Sequence, residues 1–175
     1  MNPLFDLGYE EDDLSVKVSE LLVATADGAD ELIDKSVPEV LRLLRERMDM
    51  DVVFVSEFTE GKRVFRQVET LPENQVISVG GADPLEESWC QRVVDGRLPP
   101  YIHDAGKNPA SAALEKALPF RIGTHISAPI VLKNGDVYGT LCCFSFSPVE
   151  NPNPNDLKRL QLTAQLTANK IDRSR

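Results

Sequence analysis

Thr124-His125-Ile126-Ser127-Ala128-Pro129-Ile130-Val131-Leu132, then Lys133-Asn134-Gly135-Asp136, then Val137-Tyr138-Gly139-Thr140-Leu141-Cys142-Cys143-Phe144-Ser145-Phe146 is the stretch that decides the fold. Asn-Gly between two apolar runs accepts the positive φ values of a type I′ turn, so the segment is expected to form a β-hairpin. Neither run alternates cleanly between apolar and polar residues. Strands of that kind are buried on both faces, so something must cover each side of their sheet. Helices on one side and a loop-roofed hollow on the other would satisfy that demand, and a hollow of that sort suits a ligand-binding protein. Cys142 and Cys143 are neighbours in the second run and therefore point to opposite faces. They cannot grip one metal ion from the same side.

Working outward toward the N-terminus, Asp51 to Phe58 and Arg63 to Thr70 are strand candidates joined by a turn at Glu60-Gly61-Lys62, and Gln75 to Val79 is a shorter third one, ended by Gly80-Gly81. Before them, Leu14 to Thr25 shows helical spacing that Ala26-Asp27-Gly28 is expected to interrupt. A second helix is expected over Ser36 to Met48. Ser36 and Glu39 have the spacing of a capping box, with Pro38 in the first turn. Alternatively residues 31–35 are already helical and Pro38 kinks the helix. Glu86 to Val94 has helical character. Residues 97–123 form an irregular middle, because Pro99-Pro100 forbids regular structure there. Within it, Tyr101 to Asp104 is a short strand and Ser111 to Leu118 a short helix. After the hairpin a Pro-rich loop leads to a last helix that starts at Asn155, where Leu157, Leu160, Ala164, Thr167 and Ile171 follow the 3-4-3-4 spacing of a coiled-coil seam.

At 175 residues the chain has room for one domain with a proper core. We expect an acidic leader and N-terminal helix over residues 1–28, followed by one folded domain over 29–175. The formal net charge of −9 repels phosphate backbones, so nucleic acid is not an expected partner. Part of that charge sits in the leader, at Asp6 and at Glu10 to Asp13. Three cysteines with an adjacent pair make no disulfide framework. Reduced thiols, no stretch of membrane-spanning length and no signal pattern together point to a cytoplasmic protein without membrane contact.

The element order, helix, helix, antiparallel strands, irregular middle, hairpin, helix, is an α+β pattern. Together with four phrases it resembles the GAF domain family of small-molecule sensor modules. The phrases are Leu43-Leu44-Arg45-Glu46-Arg47-Met48-Asp49-Met50-Asp51-Val52-Val53-Phe54-Val55; Ser88-Trp89-Cys90-Gln91-Arg92-Val93-Val94-Asp95-Gly96-Arg97-Leu98-Pro99; Gly123 to Ile130 with Gly135 to Cys143; and Asn155-Asp156-Leu157-Lys158-Arg159-Leu160. The phrase from Ser88 to Pro99 is most similar to GAF domains attached to bacterial cyclic-dinucleotide enzymes and other signalling outputs. The resemblance spans about residues 31–172. It implies a six-stranded antiparallel sheet with the N- and C-terminal helices packed on one face and a loop-covered pocket on the other. It also implies a homodimer through the terminal helices and an output domain or partner protein to receive the signal. The chain stops at Ile171-Asp172-Arg173-Ser174-Arg175, where such an output would attach.

On that basis Trp89, Cys90, Tyr101, Asp104, Arg121, His125, Ser127 and Cys143 are the expected ligand-binding residues for an unidentified small molecule. Asp104 and Arg121 border the loops that would roof the hollow, although Asp104 would equally cap the turn at Gly106 and Arg121 would equally be solvated. His103 and His125 are the only histidines. With Cys90 they keep a haem or redox sensor open as an alternative, and a dimerisation module with a filled pocket, plugged by Trp89 and Phe120, is another. Bilin-binding GAF domains carry a Cys-His pair that this chain lacks. Free methionine sulfoxide reductases, also of this fold, use a set of cysteines where this chain has only Cys90. There is no nucleophile elbow, no phosphate loop and no carboxylate pair suited to acid–base work, so an enzyme is not expected.

Overall fold

The computed structural model describes residues 13–23 and 29–174. The acidic leader and the interruption expected at 26–28 lie outside the described residues. Two helices, α1 (Asp13–Val23) and α2 (Ala29–Arg47), come first, then β1 (Val52–Thr59), β2 (Lys62–Thr70), β3 (Ala82–Pro84), α3 (Trp89–Val94), β4 (Tyr101–Ile102), α4 (Ala112–Lys116), β5 (His125–Val131), β6 (Val137–Phe144) and α5 (Asp156–Ser174). Pro38 lies inside α2, so of the two readings of that region the longer helix is the one that forms, and Ser36 is not its N-cap. The helix ends in a Schellman-type turn. Asp49 takes the left-handed conformation at φ 57°, and the Met50 N–H reaches back to the Arg45 carbonyl at 3.0 Å.

All six strands belong to one antiparallel sheet of order β3-β2-β1-β6-β5-β4. The centre is the β1–β6 pair, which joins the two halves of the chain. The Asp51 side chain locks that junction by accepting from the Phe146 N–H at 2.8 Å. Both faces of the central strands are covered, which is why their sequences do not alternate. On one face Val53, Val55, Ile126, Ala128, Ile130, Leu141 and Cys143 pack against the apolar faces of α1, α2 and α5, which present Val18, Leu22, Leu41, Leu44, Leu160, Ala164 and Ile171 at helical spacing. On the other face Val52, Phe54, Phe65, Cys142 and Phe144 meet Trp89, Cys90, Leu98, Ile102, Ala105 and Ile122.

Two local expectations are corrected. The β5–β6 hairpin forms, but not on a type I′ turn. Asn134 has no positive φ; only Gly135 does, at 92°. The Leu132 carbonyl accepts from the Gly135 N–H, and the Leu132 N–H donates to the Asp136 carbonyl, both at 2.9 Å. This is a type I turn closed by a left-handed glycine, the longer hairpin connection. The type I′ geometry occurs instead at Glu60-Gly61, with φ 52° and 72°, between the paired Thr59 and Lys62. The third strand is not Gln75 to Val79. The free edge of β2 is taken by residues further along: Phe65 bonds through its backbone with both Gly80 and Gly81, and β3 follows at once. With no edge left to pair, Val76 and Val79 remain exposed. On α5, Leu160, Ala164, Thr167 and Ile171 are buried within their own chain, so this face packs inward, the core-packing reading of the 3-4-3-4 spacing.

Candidate functional site

The sheet face turned away from α1, α2 and α5 carries the candidate site, where loops, short helices and polar side chains meet. Ser88 starts α3 by accepting the Gln91 N–H on its hydroxyl at 3.1 Å. That cap holds Trp89 and Cys90, both buried, over the sheet. Beneath them, side chains of even parity on β6 and odd parity on β5 face the site, namely Thr140, Cys142, Phe144, His125 and Ser127. Ser127 and Cys142 are directly paired across the ladder, and the Ser56 and Thr140 hydroxyls join β1 to β6 at 2.8 Å.

Arg63 enters from β2. Its guanidinium is bidentate to Asp83, with Nε donating to Oδ1 at 2.9 Å and Nη2 to Oδ2. It stacks over the Phe65 ring at 4.8 Å and donates from Nη1 to Cys90 Sγ at 3.2 Å. On the far side, Cys142 Sγ lies 3.3 Å from His125 Nε2, and the His125 ring tilts against Trp89 with centroids 5.0 Å apart. Burial, with the Arg63 charge adding to it, pushes the His125 imidazole down to about 3, so it is neutral near pH 7. Burial opposes ionisation of Cys90, but a hydrogen bond from Cys142, the charge of Arg63 and further hydrogen bonds from Thr140 and Arg63 outweigh it and lower the thiol's pKa. Cys142, buried beside that sulfur, is raised and keeps its proton. His125 Nδ1 and Ser127 Oγ are buried with no hydrogen-bond partner among the described residues.

Two spaces open near this cluster. One is a small hollow of about 40 Å³ lined by Phe54, Arg63, Phe65, Ile77, Trp89, Leu118, Phe120, Ile122, His125 and Phe144. The other is an open cleft of about 570 Å³ under residues 104–123, where Lys107, Lys116 and Arg121 mix with Asp104 and Glu115 over an apolar wall. Leu118, Phe120 and Ile122 line both, so they form the partition between them. Phe120 is stacked on Phe144 with centroids 5.6 Å apart.

The expected residues therefore separate into three groups. Trp89, Cys90, His125 and Ser127 come together on the loop-covered face. Asp104 and Arg121 line the open cleft, and Asp104 Oδ1 accepts the Gly106 N–H at 3.2 Å, the turn-capping role. Cys143 and Tyr101 belong to neither space. Strand parity turns Cys143 into the core beneath the helices, and Tyr101 packs against that same core. Cys142 is the thiol on the site's side. Arg63 is a member of the site that sequence reasoning does not single out, although its two-residue spacing from Phe65 on an alternating strand is the available signal. His103 is spent on the loop, its Nε2 lying 2.9 Å from the Val149 carbonyl. Among the described residues no group of three or more His, Cys, Asp or Glu side chains is placed to hold a metal ion.

The GAF domain family model matches residues 33–171. No curated protein matches the sequence. Among solved structures, the chain is similar to the GAF domain of an Acinetobacter phosphoenolpyruvate-protein phosphotransferase, with 18% identity over 98% of this chain and 93% of that one and a TM-score of 0.67. It is similar to the type II free methionine-R-sulfoxide reductase of Thermoplasma acidophilum, with 18% identity, 82% and 95% covered and a TM-score of 0.64. It is also similar to the phycocyanobilin-bound GAF domain of a cyanobacterial phytochrome, with 12% identity, 94% and 97% covered and a TM-score of 0.70. At these identities the likeness is one of fold.

Proposed function

Since the chain belongs to the GAF domain family, whose members are typically regulatory, we propose that it is a non-catalytic sensor whose small-molecule ligand enters the cleft under residues 104–123. The observation that carries this reading is the partition. Phe120 separates a cleft of about 570 Å³ from the small hollow over the sheet, and its movement would merge the two. A ligand that displaced Phe120 would reach His125, which walls the hollow and whose buried Nδ1 lacks a partner among the described residues. Pocket ligands are held in this manner, by an apolar wall and a few convergent polar groups.

The signal would leave through the hairpin and α5. The two elements pack along their length and are joined at the hairpin tip by Asp172. Output would then pass to a further domain or a partner protein, in a homodimer built on helix faces other than the buried seam of α5. Among the described residues no helix is long and apolar enough to cross a membrane.

The test is a thermal-shift screen of small polar and aromatic metabolites, followed by a structure of the complex. A ligand present at 100 times its Kd should stabilise the fold by about 2.7 kcal/mol. The bound structure should show Phe120 displaced. A screen without a stabilising compound, or a ligand seated elsewhere, overturns the proposal. One observation favours a second reading: Trp89, Phe120, His125 and Phe144 leave the hollow with only about 40 Å³, as a pure protein-interaction module would require. Phe120→Ala discriminates between the two. A sensor keeps or strengthens ligand binding on that change, whereas an interaction module gains only a void.

A further inference from the structure

Cys90 and Cys142 come from different elements, α3 and β6, and no part of the ligand-sensing reading uses their chemistry. Their surroundings are built rather than incidental. Arg63 reaches across from β2 to place Nη1 at 3.2 Å from Cys90 Sγ, while Asp83 fixes the other side of its guanidinium. Cys142 lies with Cys90 in one buried cluster where α3 packs on β6, and it has His125 Nε2 at 3.3 Å on its other flank. Charge, thiol, thiol and imidazole thus stand in a row inside the protein. The small hollow adjoins this row, since Arg63, Trp89 and His125 are among its walls. Its volume of about 40 Å³ exceeds the roughly 10–15 Å³ that a single water needs, enough for a molecule of two oxygen atoms.

We propose that Cys90 and Cys142 are a peroxide-reactive dithiol that closes to an intramolecular disulfide between α3 and β6.

Cys90 is the attacking sulfur, because the guanidinium of Arg63 stabilises its thiolate. The thiolate attacks one oxygen of hydrogen peroxide and the O–O bond breaks. Cys90 becomes a sulfenic acid, and the departing hydroxide takes the proton of Cys142 to leave as water. The Cys142 thiolate, with His125 Nε2 at 3.3 Å, then attacks the sulfenic sulfur. The S–S bond forms, the S–O bond breaks, and the second hydroxide leaves as water with the proton that Cys90 had released earlier. The sum is two thiols and one peroxide giving one disulfide and two waters. A thiol reductant reverses it. Cys143 is an internal control: it lies on the opposite face of the same strand, and burial, with the charge of Asp156 adding to it, holds its thiol protonated.

The test treats the intact, reduced protein with equimolar hydrogen peroxide, alkylates the remaining thiols after denaturation, and maps the peptides. The expected product joins Cys90 to Cys142 within one chain, with Cys143 alkylated. Trp89, the only tryptophan, stands next to Cys90 and against His125, so its fluorescence should change as the bond forms and recover with dithiothreitol. In Cys142→Ala the reaction should stop at a Cys90 sulfenic acid that dimedone traps. Arg63→Gln should slow the wild-type reaction by roughly tenfold or more. Recovery of all three cysteines alkylated, a disulfide that includes Cys143, or one that links two chains overturns the proposal. The peptide map of the wild-type protein decides the question even if a variant does not fold.

Discussion

Lys133, at the tip of the β5–β6 hairpin, donates its backbone N–H to Oδ2 of Asp172, near the end of α5, at 2.9 Å. A carboxylate in the last turn of a helix stands on the unfavourable side of the helix dipole. The hydrogen bond to Lys133 offsets that and fastens the hairpin to the terminal helix.

Replacing Asp172 by alanine should therefore cost only about 0.5–1.5 kcal/mol, the worth of one solvent-accessible hydrogen bond. It should nonetheless speed amide exchange at Lys133 selectively. Asp172→Asn keeps an acceptor oxygen and should show a smaller effect. Hydrogen exchange read by NMR separates these outcomes. Unchanged protection at Lys133 in the alanine variant would refute the link.

Gly139 faces Glu57 where β6 runs beside β1, and a Cβ there would lie 1.9 Å from the Ser56 carbonyl oxygen. No backbone can yield that far without parting the central strands. Gly139→Ala should destabilise the fold by about 3 kcal/mol or more, at the upper end of overpacking costs. Gly135→Ala meets no atom within 4 Å and bears only the strain of φ 92°, so about 1 kcal/mol is expected. Urea midpoints of the two variants should differ accordingly.

The β1–β2 turn places Glu60 at φ 52°. Asparagine tolerates the left-handed region better than glutamate and is the preferred residue at that position of a type I′ turn. Glu60→Asn should stabilise the protein by about 0.5 kcal/mol, read as a rise in the urea midpoint at constant m value.

His125 gives a pH dependence with a definite sign. Its imidazole has a pKa of about 3 in the folded protein and about 6.5 when unfolded. Between those values the unfolded chain holds the extra proton, so stability rises with pH. On acidification from about pH 7 to about pH 5 the protein should lose about 2 kcal/mol from this group alone, in a window above most carboxylate titration. His125→Gln should remove most of that slope. An equally steep loss in the variant would assign it to other groups.

Much of the site's geography is legible in the sequence. The segment from Ser88 to Leu98 reads as a helix leading into an irregular middle, and it does bring Trp89 and Cys90 onto the sheet. The hairpin runs reveal their double burial through the lack of alternation. The Asn134-Gly135 pair misleads because a type I′ turn needs strands in a two-residue register, and the register here makes Leu132 and Asp136 the closing pair. Cys143 stands in for Cys142 in the sequence reading because the alternation of a strand tells which residues share a face but not which face looks toward the helices.

What the sequence determined by itself is the set of local facts that depend on near neighbours along the chain. These are helix and strand periodicity, turn chemistry, the antiparallel order and the need for cover on both sides of the central strands. Only the tertiary structure decided the meeting of Arg63, Cys90, Cys142 and His125 and the size of the hollow beside them. Those four residues come from four separate elements, so their contact follows from how the elements pack. The hollow is the small remainder after large side chains from across the chain have filled most of one space, and a remainder of that kind changes with the rotamer of a single residue such as Phe120.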